Sequence, residues 1–374
     1  MPVILTMRSI LFSLIIVLVL PIGTPAHAAE DWRQADGPWS WSFPRDHGAH
    51  PGFRTEWWYF TGNLRDAAGN RYGYQLTFFR QGVRIKPSDP ANPWSLRDLY
   101  PAHFALTDAR SGAFHYAEQI TRSGPGLAGA ATGGMNVWNL GWSARMEKER
   151  IRLRARHGGM ELALELSPRK PLVLQGDRGL SRKGPGKGQA SYYYSFTDLA
   201  ATGTIRTPAA QRPVPVEGVS WFDQEFSSNA LTKDQAGWDW FSIHLSDGRD
   251  LMLYFLRKGD GTVEKESSGT LVEPDGRSRH LTLDETRVEV LATWTSPKSG
   301  GKYPSRWRIR IPSAGIDLQL APLVAAQELI TEGSTGVTYW EGAVDGKGTS
   351  AGRPVTCEGY VEMTGYAGSL GGLF

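Results

Sequence analysis

Aromatic and β-branched residues alternate with small and polar ones in short runs along most of the chain, and few windows carry a helical period. The strongest run is Glu56-Trp57-Trp58-Tyr59-Phe60-Thr61-Gly62-Asn63-Leu64, which reads as a strand. Residues 66–70 form a turn in which Gly69 and Asn70 tolerate positive φ, and residues 72–80 are the return strand. Further strands are expected at 103–107, 140–147, 150–157 and 160–166, the last two split by Gly158-Gly159. Strands at 191–196, 216–226, 237–245 and 251–257 continue the series, followed by 287–294, 307–311, 318–321, 338–344 and 357–364. Within 237–245, alternation puts Trp238, Trp240, Ser242 and His244 on one face and Asp239, Phe241, Ile243 and Leu245 on the other. Residues 168–189, rich in Gly, Lys and Arg, interrupt the pattern. They read as a solvated, mobile flap, with contact to an acidic partner or lipid headgroup as the alternative.

Short strands joined by Gly turns, with few helices, imply an all-β fold of closed antiparallel barrels or sandwiches. A barrel of about eight strands can hold one small ligand inside. Thr338-Tyr339-Trp340-Glu341-Gly342 weakly echoes the Thr55–Gly62 segment in its Thr, aromatic pair and Gly. With the chain length, that echo suggests two copies of a β-barrel unit. The boundary is expected between 225 and 234, where polar residues interrupt the strands, giving domains 29–228 and 229–374.

Composition adjusts this picture at a few points. Fourteen Trp and 44 Gly suit a β-protein with many tight turns and much aromatic surface to bury. Cys357 is the only cysteine, so an internal disulfide and a thiol-rich metal site are excluded; the residue reads as a small buried hydrophobe. Met7-Arg8, the apolar run 10–20 and Ala26-His27-Ala28 form the three parts of a secretory signal, cleaved near Ala28. The protein is therefore expected in the periplasm or outside the cell, with peripheral membrane contact at most. Its net charge is small and no basic-aromatic stripe is present, which argues against nucleic acid.

Five blocks resemble one family. They are His50-Pro51-Gly52-Phe53-Arg54-Thr55-Glu56-Trp57-Trp58-Tyr59-Phe60-Thr61-Gly62-Asn63-Leu64, Ser191-Tyr192-Tyr193-Tyr194-Ser195, Gly218-Val219-Ser220-Trp221-Phe222-Asp223-Gln224-Glu225-Phe226, Gly237-Trp238-Asp239-Trp240-Phe241-Ser242-Ile243-His244-Leu245 and Gly359-Tyr360-Val361-Glu362-Met363-Thr364-Gly365-Tyr366. Together they look like the AttH-like proteins grouped with carotenoid 1,2-hydratase. The resemblance implies two tandem lipocalin-like domains. Only the hydratase branch carries a defined reaction, addition of water to a terminal isoprenoid double bond, and this chain looks closer to the AttH branch.

Several chemistries lack their motifs. Gly348-Thr349-Ser350-Ala351-Gly352 matches a nucleophile elbow in letters, but its flanks read as a turn between strands. No zincin, P-loop or dinucleotide fingerprint is present, and no cofactor is implied. His47, His50, His103 and His115 read as solvated or capping residues, with a metal site as the alternative. The acidic residues among aromatics are the better candidates: Asp223 and Glu225, which share a strand face, Asp239 between two Trp, and Glu56 before Trp57. Burial raises a carboxyl pKa, as a general acid requires. Hydration of an alkene needs an acid, a shielded cation and a base; aromatic faces stabilise the cation. Asp223 or Asp239 is the candidate acid, Glu225 or His244 the candidate base. Glu56, Trp57, Trp58, Tyr59, Trp221, Trp238 and Trp240 are the candidate ligand wall. The bland alternative is that the Trp pairs are core, that Asp or Glu pairs with Arg54 or Arg80, and that His244 is a satisfied core histidine. Three function classes follow: a hydro-lyase on an apolar unsaturated chain, a non-catalytic carrier of an apolar ligand serving an envelope transporter, and an attachment or scaffold protein.

Overall fold

The computed structural model describes residues 31–229 and 231–371; the expected signal segment lies outside them. From Trp32 onward the described chain forms one compact unit built on two antiparallel sheets. The first sheet contains β1 (Thr55–Arg65), β2 (Arg71–Gly82), β3 (Asp98–Asp108), β4 (Ala113–Arg122), β5 (Ala128–Ala130), β6 (Asn136–Asn139) and β7 (Trp142–Glu147). It continues with β8 (Arg150–His157), β9 (Met160–Pro168), β10 (Val173–Leu174), β11 (Leu180–Arg182), β12 (Ala190–Arg206) and β13 (Val214–Ser227). Its order is β4-β3-β2-β1-β13-β12-β9-β8-β7-β6-β5, with β10 and β11 both paired to β12. The ends approach each other: Gln119 Nε2 on β4 donates to the Asn139 carbonyl on β6 at 2.9 Å, so the sheet is nearly a barrel.

The second sheet contains β14 (Gln235–Leu245), β15 (Asp250–Lys258), β16 (Ser268–Val272), β17 (Ser278–Thr282), β18 (Arg287–Thr295), β19 (Lys302–Ile311), β20 (Ile316–Pro322), β21 (Glu328–Thr331), β22 (Val337–Ser350) and β23 (Arg353–Thr364). Its order, β17-β16-β15-β14-β23-β22-β20-β19-β18, makes a half-barrel. Three single-turn 3-10 helices, Arg45–His47, Leu283–Glu285 and Pro312–Ala314, are the only helices among the described residues. The fold is all-β and lipocalin-like.

Two kinds of strand make these sheets. In β8, Ile151, Leu153 and Ala155 point inward while Arg150, Arg152 and Arg154 face water, the pattern of a strand with one wet side. In β1, β13 and β22 nearly every residue up to the strand's frayed end is buried. One face of each belongs to the core of its own sheet and the other meets the opposite sheet. The two interiors are filled by their own side chains: Trp58, Phe60, Phe104 and Trp142 in the first, Phe241, Trp307 and Trp340 in the second. The expectation of a ligand held inside a barrel therefore gives way to packed interiors. Cys357 is buried in the second core.

Two local expectations need correction. Residues 168–189 are not a solvated flap: β10 and β11 pair with β12, and the ammonium groups of Lys170 and Lys183 are buried against Asp250 at 2.7 Å and Glu225 at 3.0 Å. His47, His50 and His103 are not solvated either. His47 Nδ1 meets the Tyr194 hydroxyl at 2.7 Å, and His50 lies between Asp46 and Glu56. Buried carboxylates and hydroxyls take these side chains out of water, which hydropathy alone does not anticipate. Ser350 ends β22 and β23 begins three residues later, so the Gly-x-Ser-x-Gly string is a strand-to-strand turn, as its flanks implied.

Candidate functional site

The outer faces of β1, β2, β3, β12 and β13 pack against those of β14, β15, β22 and β23, and a cavity of about 140 Å³ lies between them. That is room for about five waters at their liquid volume of about 30 Å³ each. Behind it the sheets close tightly. A Cβ on Gly73 of β2 would come within 2.6 Å of the Ala343 Cβ on β22, so only a residue without a side chain lets the two backbones approach there.

The wall is mostly aromatic: Trp57, Tyr59 and Phe79 from the first sheet, Trp238, Trp240 and Tyr254 from the second. Strand alternation puts them there. Trp57 and Tyr59 face the cavity while Trp58 and Phe60 fill the first core. Tyr339 and Glu341 face it from β22 while Trp340 fills the second core. The Thr-aromatic-aromatic echo noted in the sequence thus marks two strands that line the cavity from opposite sides.

Four carboxyl groups enter this apolar space: Asp223, Glu225, Glu341 and Glu362. Lys183 is the lysine of the lining, and it pairs with Glu225, which also accepts from the Ser191 hydroxyl. Its ammonium lies 4.3 Å from the centre of the Tyr254 ring. Asp223 accepts three hydrogen bonds of 2.6 Å, from Tyr193 Oη, Ser195 Oγ and Trp221 Nε1. Alternate residues of the Ser191–Ser195 motif therefore serve the cavity carboxylates, while Tyr192 and Tyr194 turn to the opposite face. Burial still pushes Asp223 up to about 7, against the pull of its donors.

Glu341 and Glu362 stand directly opposite each other on β22 and β23. Like charges in that register repel. Burial and the neighbouring Glu362 lift Glu341 well above the usual carboxyl range, favouring its protonated form. Glu362 accepts from Trp238 Nε1 at 2.7 Å, yet burial with Asp223 and Glu225 nearby raises it to about 7. The Tyr59 hydroxyl neighbours Glu341 without making a well-formed hydrogen bond to it. At the far end, Tyr339 Oη meets His103 Nδ1 at 2.7 Å and His103 Nε2 meets Ser334 Oγ at 2.9 Å. Burial lowers His103 to about 3, which keeps it neutral.

The sequence-expected site residues divide into two groups. Asp223, Glu225, Trp57, Tyr59, Trp238 and Trp240 line the cavity, and Trp221 supports Asp223 from behind. The remaining four lie elsewhere. Asp239 is on the other face of β14, held by Arg257 at 3.0 Å and Tyr366 at 3.0 Å. His244 shares the face of Trp240 but lies beyond the cavity, with Nδ1 2.9 Å from Asp250. Trp58 is core, and Glu56 belongs to an ion network with His50 and Arg80. Glu341, Glu362, Tyr193, Tyr339, His103 and Lys183 were missed as site residues. For the two glutamates a signal existed, since Glu341 follows two residues after Tyr339 and Glu362 two after Tyr360, each on the same strand face as that tyrosine.

Comparisons with known proteins agree on the architecture. The profile of the AttH-like family matches residues 34–366. The crystal structure of the AttH-type protein NE1406 from Nitrosomonas europaea is 38% identical with a TM-score of 0.79, over 89% of this chain and 99% of that one. Kievitone hydratase from Nectria haematococca shares the fold at 16% identity and a TM-score of 0.67, over 91% of this chain and 98% of that one. CghA shares it at 14% identity and a TM-score of 0.51, over 83% and 88%. No curated protein matches the sequence. With the family profile spanning both sheets and the cavity between them, the chain belongs to the AttH-like family.

Proposed function

We propose that this protein binds an unsaturated apolar molecule, an isoprenoid or one of similar character, between its two sheets and adds water across a C=C bond. The observation that carries the reading is the facing pair Glu341 and Glu362 in an aromatic cavity. Glu341, raised well above the usual carboxyl range by burial and by Glu362, suits a general acid. Its proton goes to one alkene carbon, and the tertiary cation left on the other is stabilised by the surrounding rings, at about 0.5–2 kcal/mol each. Glu362, near half-ionised at neutral pH, takes a proton from the water whose oxygen bonds to the cation. Transfer of that proton from Glu362 to the adjacent Glu341 restores the starting state, so the reaction consumes only water and alkene. A cavity of about 140 Å³ suits a small terpenoid or one end of a longer chain. The signal-like residues 7–28 support export to the periplasm or beyond.

A second reading is carriage of the same ligand without chemistry. It is favoured by Asp223 and Glu225, whose oxygens are already engaged by protein donors. The deciding experiment supplies lycopene, squalene and geranylgeraniol in ¹⁸O-labelled water and follows products by mass spectrometry. Labelled water should be added by the native protein and not by Glu341→Gln. A ligand that binds and emerges unchanged would reduce the function to carriage.

A further inference from the structure

Most polar groups on the cavity wall have protein partners. Asp223 takes three donors, Glu225 two, Glu362 one, and both His103 nitrogens are engaged. One corner differs. The Tyr59 hydroxyl, Gln75 Oε1 and both carboxyl oxygens of Glu341 make no well-formed hydrogen bond to the protein, although their residues are 5%, 1% and 1% exposed. All three residues line the cavity. Tyr59 neighbours Glu341, Gln75 neighbours Tyr339, and Tyr339 and Glu341 are two apart on one face of β22, so the atoms converge.

Leaving such groups unpaired in a closed site is costly, and native proteins rarely do it. The chemistry of the corner selects its occupant. Gln75 Nε2 already donates to Thr77 Oγ1 at 2.6 Å, so Gln75 offers an accepting oxygen. Tyr59, and Glu341 when it carries its proton, each offer a donor and an acceptor. A hydroxyl oxygen meets both demands, donating to Gln75 while accepting from Tyr59 or Glu341. A carbonyl has nothing to donate to Gln75, and a hydrocarbon leaves every group unpaired.

We propose that Tyr59, Gln75 and Glu341 form a hydroxyl-binding subsite that takes water or the hydroxyl group of an otherwise apolar ligand. The subsite rests on the hydration reading, in which the same corner positions the attacking water and then holds the hydroxyl it becomes. Its recognition chemistry is measurable without turnover.

The test uses three molecules of one skeleton, menthol, menthone and p-menthane, followed by quenching of tryptophan fluorescence in the native protein. Menthol should bind about tenfold more tightly than menthone, the scale of a satisfied against an unsatisfied buried group. In Tyr59→Phe and, independently, Gln75→Leu, the menthol-to-menthone ratio should fall towards one. Equal affinity of the native protein for menthol and menthone, or a preference that survives in both variants, overturns the subsite. Crystals with p-menthane and with menthol separate the two sources. An ordered water in the corner beside p-menthane identifies a water site, and the menthol hydroxyl in its place identifies a ligand-hydroxyl site. A corner empty of oxygen in both complexes overturns the proposal. A menthol preference in a protein that adds no labelled water to any alkene leaves the subsite standing and removes the hydratase reading alone.

Discussion

On one face of β1, Glu56 enters a buried ion network; on the other, Tyr59 meets a buried carboxyl with no counter-ion. In the network, Glu56 is bound by His50 at 2.7 Å and Arg80 at 3.2 Å, while Arg80 also reaches Asp98 at 3.1 Å. Asp46 closes it through His50 at 3.2 Å. Burial alone would raise these carboxyls, but the cations and hydrogen bonds win: Glu56 and Asp46 both lie below their ordinary range and His50 lies above its own. In the cavity burial wins, and Asp223, Glu341 and Glu362 are all raised. Buried carboxyls are thus ion-paired on one side of β1 and pushed towards their neutral form on the other. The difference is the supply of cations: arginine and histidine in the network, a single paired lysine at the cavity.

The contrast breaks most sharply at Arg80. Arg80→Met leaves Glu56 and Asp98 buried without their cation and should cost about 3–5 kcal/mol in denaturant unfolding. Glu341→Gln removes an acid that pairs with no cation, so stability at pH 5 should change by less than about 1 kcal/mol. Water addition should nevertheless fall by at least about 100-fold, the usual contribution of a general acid. A Glu341→Gln protein that is strongly destabilised would erase the distinction between the two faces.

The pH dependence of stability should carry opposite signs for the carboxyls of the two regions, while His50, which is raised, adds to the loss as pH rises. Asp223 and Glu362 have folded values raised to about 7, so their contribution is fully present below the ordinary carboxyl range and is lost as pH rises to about 7. Glu56 and Asp46 are lowered, so their contribution is present above the ordinary range and is lost as pH falls below it. Unfolding free energy should therefore drop by about 2–3 kcal/mol for each of the two groups between pH 5 and 8. The double variant Asp223→Asn, Glu362→Gln should flatten most of that slope, and Glu56→Gln should remove only the share carried by His50. The smallest effect is expected at the aromatic wall. Trp57→Leu, on the half-buried rim, should weaken binding of an apolar fluorophore by about 0.5–1.5 kcal/mol and barely move the unfolding midpoint.

Much of the strand pattern was legible because alternation is a local property. The hairpin over 150–166 appears as expected, with positive φ at both Gly158 and Gly159. Faces were legible too: Trp238 and Trp240 line the cavity while Phe241 and Ile243 are core. Roles were legible only in part. Asp239 and Asp223 look alike in the chain, each beside tryptophans, yet Asp239 meets Arg257, which lies 18 residues away on β15. Glu341 and Glu362 become a pair only through the register of β22 with β23.

What the sequence determined by itself was the all-β fold, the strand faces and the family, because period-two alternation, turn glycines and motif spelling are written residue by residue. Only the tertiary structure decided where the cavity lies. Both sheet interiors are filled by their own side chains, so the free volume falls between the sheets. The pairing of each buried carboxyl was settled in the same way, since a buried acid's charge depends on which cation, donor or second acid the fold brings within a few ångströms of it.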